Sequence, residues 1–260
     1  MDFRQIFWTG TPSTTGPSFP LPLQLILIFV FCLAIYSVLR LAGQPQRLKR
    51  LISGLSIALL LEQFLINLWY WTGPFLAEPL PLYHCRLAKL VYLIYFILPS
   101  EYKERIWART GLYYACTVGF AGALSAFFKP TPDPFHFPHI AIFSYFIGHL
   151  LLGLLPLAYL LLDRERPGLA YFWRVQSLIL AFNIFIIGAN HVLHTNYAFF
   201  RKSPIMPDYF LHWPRLLYLV MLCAVYALLC LLSSLILKGL ILGARKLRIR
   251  REAKVQHSSL

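Results

Sequence analysis

One short stretch of the sequence combines the residue types of a reactive cysteine. Cys85 is followed at once by Arg86, and Lys89 comes one helical turn later. Two neighbouring cations and the positive end of a helix beginning at this point favour the thiolate, which is the nucleophilic form of cysteine. The stretch therefore predicts Cys85 as a nucleophile, with Arg86 and Lys89 as alternative or additional ligands of a lipid phosphate. The competing interpretation is an apolar cysteine beside two cations that extend toward the membrane surface.

Three further polar residues stand near the middle of long apolar stretches: Glu62, His149 and Asn183. Polar and ionisable groups at the membrane midplane are costly, and they usually face the interior of a helix bundle. There, His149 is a candidate general base for the cysteine, and Glu62 is an acid that orients the imidazole. The alternative is a structural hydrogen bond between Glu62 and either His149 or Asn183. Because no basic residue is expected level with Glu62, one of these two is its predicted partner.

Six of the eight histidines lie near the ends of apolar stretches that should meet at the outer side of the membrane. Their spacing matches no metal-ligand motif, so we expect no metal site. We expect instead that these rings lie at the level of the lipid headgroups, as tryptophan and tyrosine do. The six are His84, His136, His139, His191, His194 and His212.

Which histidine is the general base for Cys85 depends on how deep each residue lies in the membrane. On straight helices Cys85 and His149 are offset by about 15 Å along the membrane normal. A proline-bent segment over Gly73–Pro81 that dips into the bundle would close this gap and make His149 the base. Otherwise His139, which lies level with Cys85, is the better base.

The composition places all of these residues in a membrane. Of 260 residues, 58% are hydrophobic and 13% are charged, against roughly 45–50% and about 25% in soluble domains. These values exclude a soluble domain, a disordered chain and a disulfide-rich secreted scaffold. The net charge is +14, but seven of the basic residues lie between Lys238 and Lys254 beside an apolar span. That placement is typical of a cytoplasmic anchor at the membrane surface, so we expect no nucleic-acid partner.

Seven apolar stretches have about the length that a spanning helix needs, and they predict an all-α, polytopic bundle. The bundle then divides the chain into a short external segment (1–20), a seven-helix transmembrane domain (21–243) and a basic cytoplasmic tail (244–260). The predicted spans are Leu21–Ala42, Leu51–Thr72, Tyr83–Leu98, Thr110–Phe128, His139–Leu162, Tyr171–His191 and Leu216–Leu237.

The distribution of basic residues predicts the orientation. Seventeen of the 24 lysines and arginines lie in the first, third and fifth connectors and in the C-terminal tail, whereas five lie on the opposite side. The positive-inside rule therefore places the N-terminus outside and the C-terminus in the cytoplasm. This arrangement requires an odd number of spans, in agreement with the seven that are predicted. We expect a multi-pass protein of the plasma or inner membrane in a bacterium, or of an endomembrane in a eukaryote.

Four short motifs resemble those of one family of membrane proteins. They give the chain, over roughly residues 60–220, a resemblance to the YwaF-like bacterial integral membrane proteins, which are related to the vertebrate transmembrane-protein-164 acyltransferase. The motifs are Leu80-Pro81-Leu82-Tyr83-His84-Cys85, then Phe137-Pro138-His139 through Phe146-Ile147-Gly148-His149, then Asn196-Tyr197 to Lys202-Ser203-Pro204, and His212-Trp213-Pro214.

The resemblance implies a cysteine nucleophile in the third span and a histidine in the fifth, which fall on Cys85 and His149. It also implies transfer of an acyl chain between membrane phospholipids, or hydrolysis of a lipid ester, and we expect no cofactor. The alternative is a non-catalytic lipid-binding or small transport protein with a polar path at the midplane. The residues expected to contact the substrate are Arg86, Lys89, Glu62, His139 and Asn183.

Overall fold

The computed structural model describes residues 7–10, 12, 19–72, 80–163, 169–203 and 207–258. Within these ranges the regular structure is helical, with no strand, which confirms the predicted all-α class. The helices are α1 (Leu21–Leu39), α2 (Pro45–Thr72), α3 (His84–Ile97), α4 (Ser100–Lys103), α5 (Ile106–Phe128), α6 (Ile140–Leu162), α7 (Leu169–Leu193), α8 (Pro207–Leu211) and α9 (Arg215–Ser258), with a 3₁₀ turn at Tyr197–Phe199.

Six helices of the described chain are long and apolar enough to cross a membrane: α1, α2, α5, α6, α7 and α9. Most residues of α5 and α6 are buried, whereas α1 and α9 are buried at only a few positions. The central pair, α5 and α6, therefore forms the middle of the bundle, and the other long helices surround it. This architecture confirms a multi-pass integral membrane protein.

The helix α3 is shorter than the other spans. Its 14 residues extend about 21 Å, less than the hydrocarbon thickness of a bilayer. The chain nevertheless passes through the bundle here. At the end of α2, the Tyr70 hydroxyl donates to Asp133, between α5 and α6, at 3.2 Å, whereas α5 begins at the opposite end of the bundle. The described residues 80–105, which include α3, thus lie between the two ends, and six other helices of the described chain are long enough to cross a membrane.

The last helix continues beyond the predicted span. The 44 residues of α9 extend about 66 Å, so the predicted span Leu216–Leu237 and the basic tail from residue 244 belong to one helix. Arg245 donates to the carbonyl oxygens of Leu160 and Asp163, at 3.2 and 2.7 Å. These carbonyls lie at the C-terminal end of α6, where no further turn of the helix donates to them. The tail is therefore fixed to the same end of the bundle as Arg109, which pairs with Asp163.

The predicted external segment contacts the opposite end of the bundle in its described part. The Trp69 indole donates to the backbone carbonyl of Trp8, at 2.8 Å. Phe7 and Trp8 pack against a buried cluster that includes Trp69 and Phe135. Residues 1–6, 11 and 13–18 of this segment, like residues 73–79 of the proline-rich connector, lie outside the described ranges.

Candidate functional site

The helix α3 begins inside the bundle. Tyr83, the residue before it, has an extended backbone, and the amide of Leu80 donates to the Tyr197 hydroxyl, at 3.1 Å. The Tyr83 and Tyr197 rings also meet edge to face, with centroids 5.7 Å apart. The loop that carries Tyr197 thus contacts the segment that precedes α3. Cys85, as the second residue of α3, consequently lies deeper than a straight spanning helix would place it.

Cys85 and His149 border the same small space on α5. A Cβ atom at Gly122 would lie 3.5 Å from Cys85 Cβ and 4.0 Å from His149 Nε2. These are ordinary van der Waals distances, so the space beside Gly122 has room for about one methyl group. The Cys85 side chain and the His149 ring therefore both border this space. The offset expected for straight helices is absent because α3 begins at the depth of His149.

The hydrogen bonding of His149 fixes its tautomer. Nδ1 lies 2.6 Å from the backbone carbonyl oxygen of Tyr145, one turn earlier on α6. Because a carbonyl oxygen only accepts hydrogen bonds, Nδ1 carries the proton of the neutral ring. Nε2 is then the unprotonated nitrogen, and it is the nitrogen that borders the space beside Gly122. The ring is thus oriented to accept a proton from that side.

Cys85 lies in the first turn of α3, next to two cations of the same helix. Arg86 follows it directly, and Lys89 comes one turn later. Amides of a first helical turn have no intrahelical partner and carry the positive end of the helix dipole. The side chain is also partly exposed, so it is accessible within the bundle.

The predicted partners of Glu62 were wrong, because Lys89 lies level with it. The ammonium of Lys89 is 2.9 Å from Oε1 and 3.0 Å from Oε2 of Glu62. Gln63 donates to Oε2 at 2.7 Å, and Ser144 donates to Oε1. Both charged side chains are buried. The deep start of α3 brings a lysine to the depth of Glu62, which straight spans did not predict.

Asn183 pairs with His84 rather than with Glu62. His84 Nε2 lies 2.7 Å from Asn183 Oδ1, and Nδ1 lies 2.9 Å from the Tyr114 hydroxyl. The amide oxygen accepts from Nε2–H, so Nδ1 accepts from the tyrosine. His84 is buried, so the prediction that its ring lies at headgroup level was wrong. It bridges α7 and α5 next to Cys85.

Arg86 lies on the side of the site toward the C-terminal end of α2. Its guanidinium donates to the Leu80 carbonyl at 3.3 Å and to the Tyr70 hydroxyl. It also lies over the rings of Tyr70 and Tyr83, at 4.8 and 5.3 Å from their centroids. Tyr70 in turn donates to Asp133. The cation predicted to bind a phosphate is therefore positioned by aromatic rings and by a carboxylate.

His139 caps the N-terminus of α6. Its Nδ1 accepts from the Ala141 amide at 3.2 Å, and its ring stacks on Phe135 with centroids 4.0 Å apart. Burial lowers the pKa of His139 to about 4, so the ring is neutral at pH 7. Of the two candidate bases, His149 is the one that borders the space beside Cys85. No group of three metal-ligating side chains occurs among the described residues.

The structure adds small residues of α5 and α6 that were absent from the predicted site. Gly122 leaves the space between Cys85 and His149, and Gly148 leaves room for the Lys89 ammonium. Ser144 and Gly148 stand four residues apart, on one face of α6. Small residues at this spacing are typical of close helix contacts in membranes, and this signal pointed to the face that carries the site.

A methyl group at Gly148 should destabilise the protein. It would overlap the Lys89 ammonium, and it would lie 2.8 Å from Lys89 Cε and 3.0 Å from Glu62 Oε1. We expect Gly148→Ala to lower the free energy of unfolding by about 1–3 kcal/mol, as overpacking does elsewhere. Gly188→Ala is the control, because no atom lies within 4 Å of that Cβ position. Equal unfolding temperatures of the two variants in detergent would contradict this prediction.

The fold and this site define a polytopic α-helical membrane protein with a buried polar centre. A family model described as the TMEM164 family matches residues 12–235. The chain belongs to the TMEM164 family. The match does not extend to the YwaF-like grouping suggested by the motifs. No curated protein and no solved structure matches the chain.

Proposed function

We propose that this protein is a membrane-embedded acyltransferase that moves an acyl chain between phospholipids. Cys85 is the nucleophile and His149 is the general base. The observation that carries the proposal is the shared space beside Gly122, which both side chains border. Its support is chemical: an unprotonated imidazole nitrogen facing a thiol is the arrangement that activates a cysteine nucleophile.

The reaction proceeds in two balanced halves. In the first, His149 Nε2 takes the thiol proton, and the sulfur attacks the carbonyl carbon of a lipid ester. The carbon–oxygen ester bond breaks, the lyso-lipid alkoxide receives the proton from His149, and a thioester on Cys85 remains. In the second half, His149 deprotonates the hydroxyl of another lyso-lipid, which attacks the thioester. The new ester leaves, and the proton returns to the cysteine.

Membrane lipids are the substrates that suit this position. The site lies among the helices of the bundle, so a substrate that is already in the bilayer reaches it laterally. Arg86, at the edge of the site, is a suitable contact for the phosphate of such a lipid, since a guanidinium forms bidentate hydrogen bonds with phosphate. A soluble acyl donor would have to leave water to enter the same space.

Filling the shared space is the direct test. We expect Gly122→Ala to fold normally, because the added methyl makes ordinary contacts at 3.5–4.0 Å. It should nevertheless slow acyl exchange between defined phospholipids by 100-fold or more, on the order of what small displacements in a reacting geometry cost. Gly111→Ala is the matched control on the same helix, since its methyl would contact Val91 at 3.6 Å.

Labelling of the cysteines gives a second readout on the same variants. A thiol-reactive probe with a lipid tail should label Cys85 in the wild type and label it more slowly in Gly122→Ala. Wild-type exchange rates in both glycine variants would contradict the proposed site. Equal labelling of all five cysteines, with no exchange of acyl chains, would favour a non-catalytic lipid-binding protein.

A further inference from the structure

We infer that Lys89 binds the oxyanion that forms when Cys85 attacks the ester, an inference that rests on the proposed acyl transfer. Lys89 follows Cys85 by four residues on α3, so the two side chains lie on one face of the helix. The charge of Lys89 acts on both Cys85 and His149. The ammonium also lies against Gly148, the residue before the base.

The hydrogen bonds of Lys89 leave one donor for a substrate. An ammonium has three N–H groups. Two bonds go to the two carboxylate oxygens of Glu62, at 2.9 and 3.0 Å. In the described chain Lys89 has no other hydrogen-bond partner, which leaves one N–H for a substrate.

The position of the ammonium is fixed before a substrate arrives. Glu62 accepts from Gln63 and Ser144 as well as from Lys89. These bonds hold the carboxylate, and the carboxylate holds the ammonium. A donor that is already oriented in a site of low dielectric stabilises developing charge strongly, because it does not reorganise during the reaction.

The step balances without a new proton transfer. When the sulfur–carbon bond forms, the electron pair of the carbonyl π bond moves to its oxygen, and the third N–H of Lys89 donates to that oxygen. The thiol proton is on His149, and Glu62 stays ionised. When the tetrahedral intermediate collapses, the electron pair returns to the carbonyl and the ester bond breaks. Lys89 is thus a hydrogen-bond donor throughout and never a base.

A double variant separates this role from a structural ion pair. Removing one charge alone would leave the other buried and unpaired, so Glu62→Gln and Lys89→Met are combined to remove both. We expect the double variant to be folded in detergent and to react with a small maleimide at Cys85. Acyl exchange should fall by about 100-fold, the usual effect of losing one oxyanion donor. An ion pair with a purely structural role would leave exchange near the wild-type rate in this folded variant.

The binding of a transition-state analogue tests the role of Lys89 without a measurement of turnover. A long-chain trifluoromethyl ketone adds the Cys85 thiol to its carbonyl and forms the tetrahedral oxyanion, with the proton on His149. Its affinity should fall by a similar factor of about 100 in the double variant. The matching secondary alcohol, which forms no adduct, should bind equally to both proteins. Equal ketone affinities would overturn the role of Lys89.

Two outcomes keep this inference separate from the proposed function. If the double variant does not fold, Glu62→Asp is the substitute, because it retains both charges. Its shorter side chain moves the Lys89 ammonium away from the reacting carbonyl. The affinity for the ketone should then fall, and the affinity for the alcohol should stay unchanged. An unchanged ketone affinity there would also overturn the role of Lys89. If Cys85→Ser retains acyl exchange, the proposed nucleophile fails instead, whatever the double variant does.

Discussion

Cys85→Ser should abolish acyl exchange between phospholipids while leaving the protein folded. The serine is nearly isosteric, but the thioester route requires the sulfur, and His149 has no described acidic partner at Nδ1 with which to activate a hydroxyl. We expect a loss of about 1,000-fold or more, as for other nucleophiles that act with a base. His149→Ala should lose a comparable factor because it removes the proton acceptor. The measurement is transfer of a labelled acyl chain to a defined lyso-lipid by purified protein.

The double variant of Cys85 and His149 tests whether the two residues act in one mechanism or whether each substitution causes a separate loss of activity. If Cys85 and His149 act as a unit, the double variant should lose little more than the worse single variant. Cys116→Ser is the control, since Cys116 is also buried among the central helices. Full activity of Cys85→Ser would end the nucleophile hypothesis. Lost activity in His139→Ala, with His149→Ala unaffected, would assign the base to the cap of α6.

Glu62→Leu should strongly destabilise the protein. It leaves the Lys89 ammonium buried without its carboxylate, and breaking a buried pair on one side costs about 3–5 kcal/mol. Glu62→Gln should cost less, because the amide oxygen still accepts a hydrogen bond from Lys89. The measurement is the unfolding free energy, or the midpoint of thermal unfolding, in one detergent.

Glu104→Leu is the matched control for the loss of a carboxylate. Glu104 pairs with Arg109 at 3.2 Å, but its side chain is 76% exposed, and such pairs contribute about 0–1 kcal/mol. Similar destabilisation by Glu62→Leu and Glu104→Leu would mean that Glu62 is hydrated rather than buried against Lys89.

The long helices were predictable because their signal is local. A run of about 20 apolar residues predicts a span wherever it occurs, and six of the seven predicted spans correspond to long helices. The exception is instructive. The stretch Tyr83–Leu98 is apolar and helical, and its predicted bounds agree with α3, but the sequence does not reveal that this helix begins inside the bundle. That depends on the contact between Leu80 and Tyr197, which joins distant parts of the chain.

The sequence predicted which polar residues belong to the site better than it predicted which of them contact each other. The sequence identified Glu62, His149 and Asn183 as polar groups in an apolar bundle, because a membrane makes such groups conspicuous. To predict which of these residues contact each other, one needs the depth of each residue in the membrane. The predicted depths assumed that every span is a straight helix. Once α3 starts deeper, Lys89 reaches Glu62 and His84 reaches Asn183. The role of Gly122 depends on which side chains border it, and a single sequence does not give those contacts.

The short, charged α3 also has a consequence for biosynthesis. A 14-residue segment that carries Arg86 and Lys89 is a poor substrate for the translocon, since each cation near the centre of a span costs roughly 2.5–3.5 kcal/mol on insertion. Glu62 on α2 carries the complementary charge. The two charges neutralise each other only when both segments are in the lipid. We therefore expect α3 to insert together with α2, because the ion pair beside the candidate site lowers the free-energy cost of placing the third segment in the membrane.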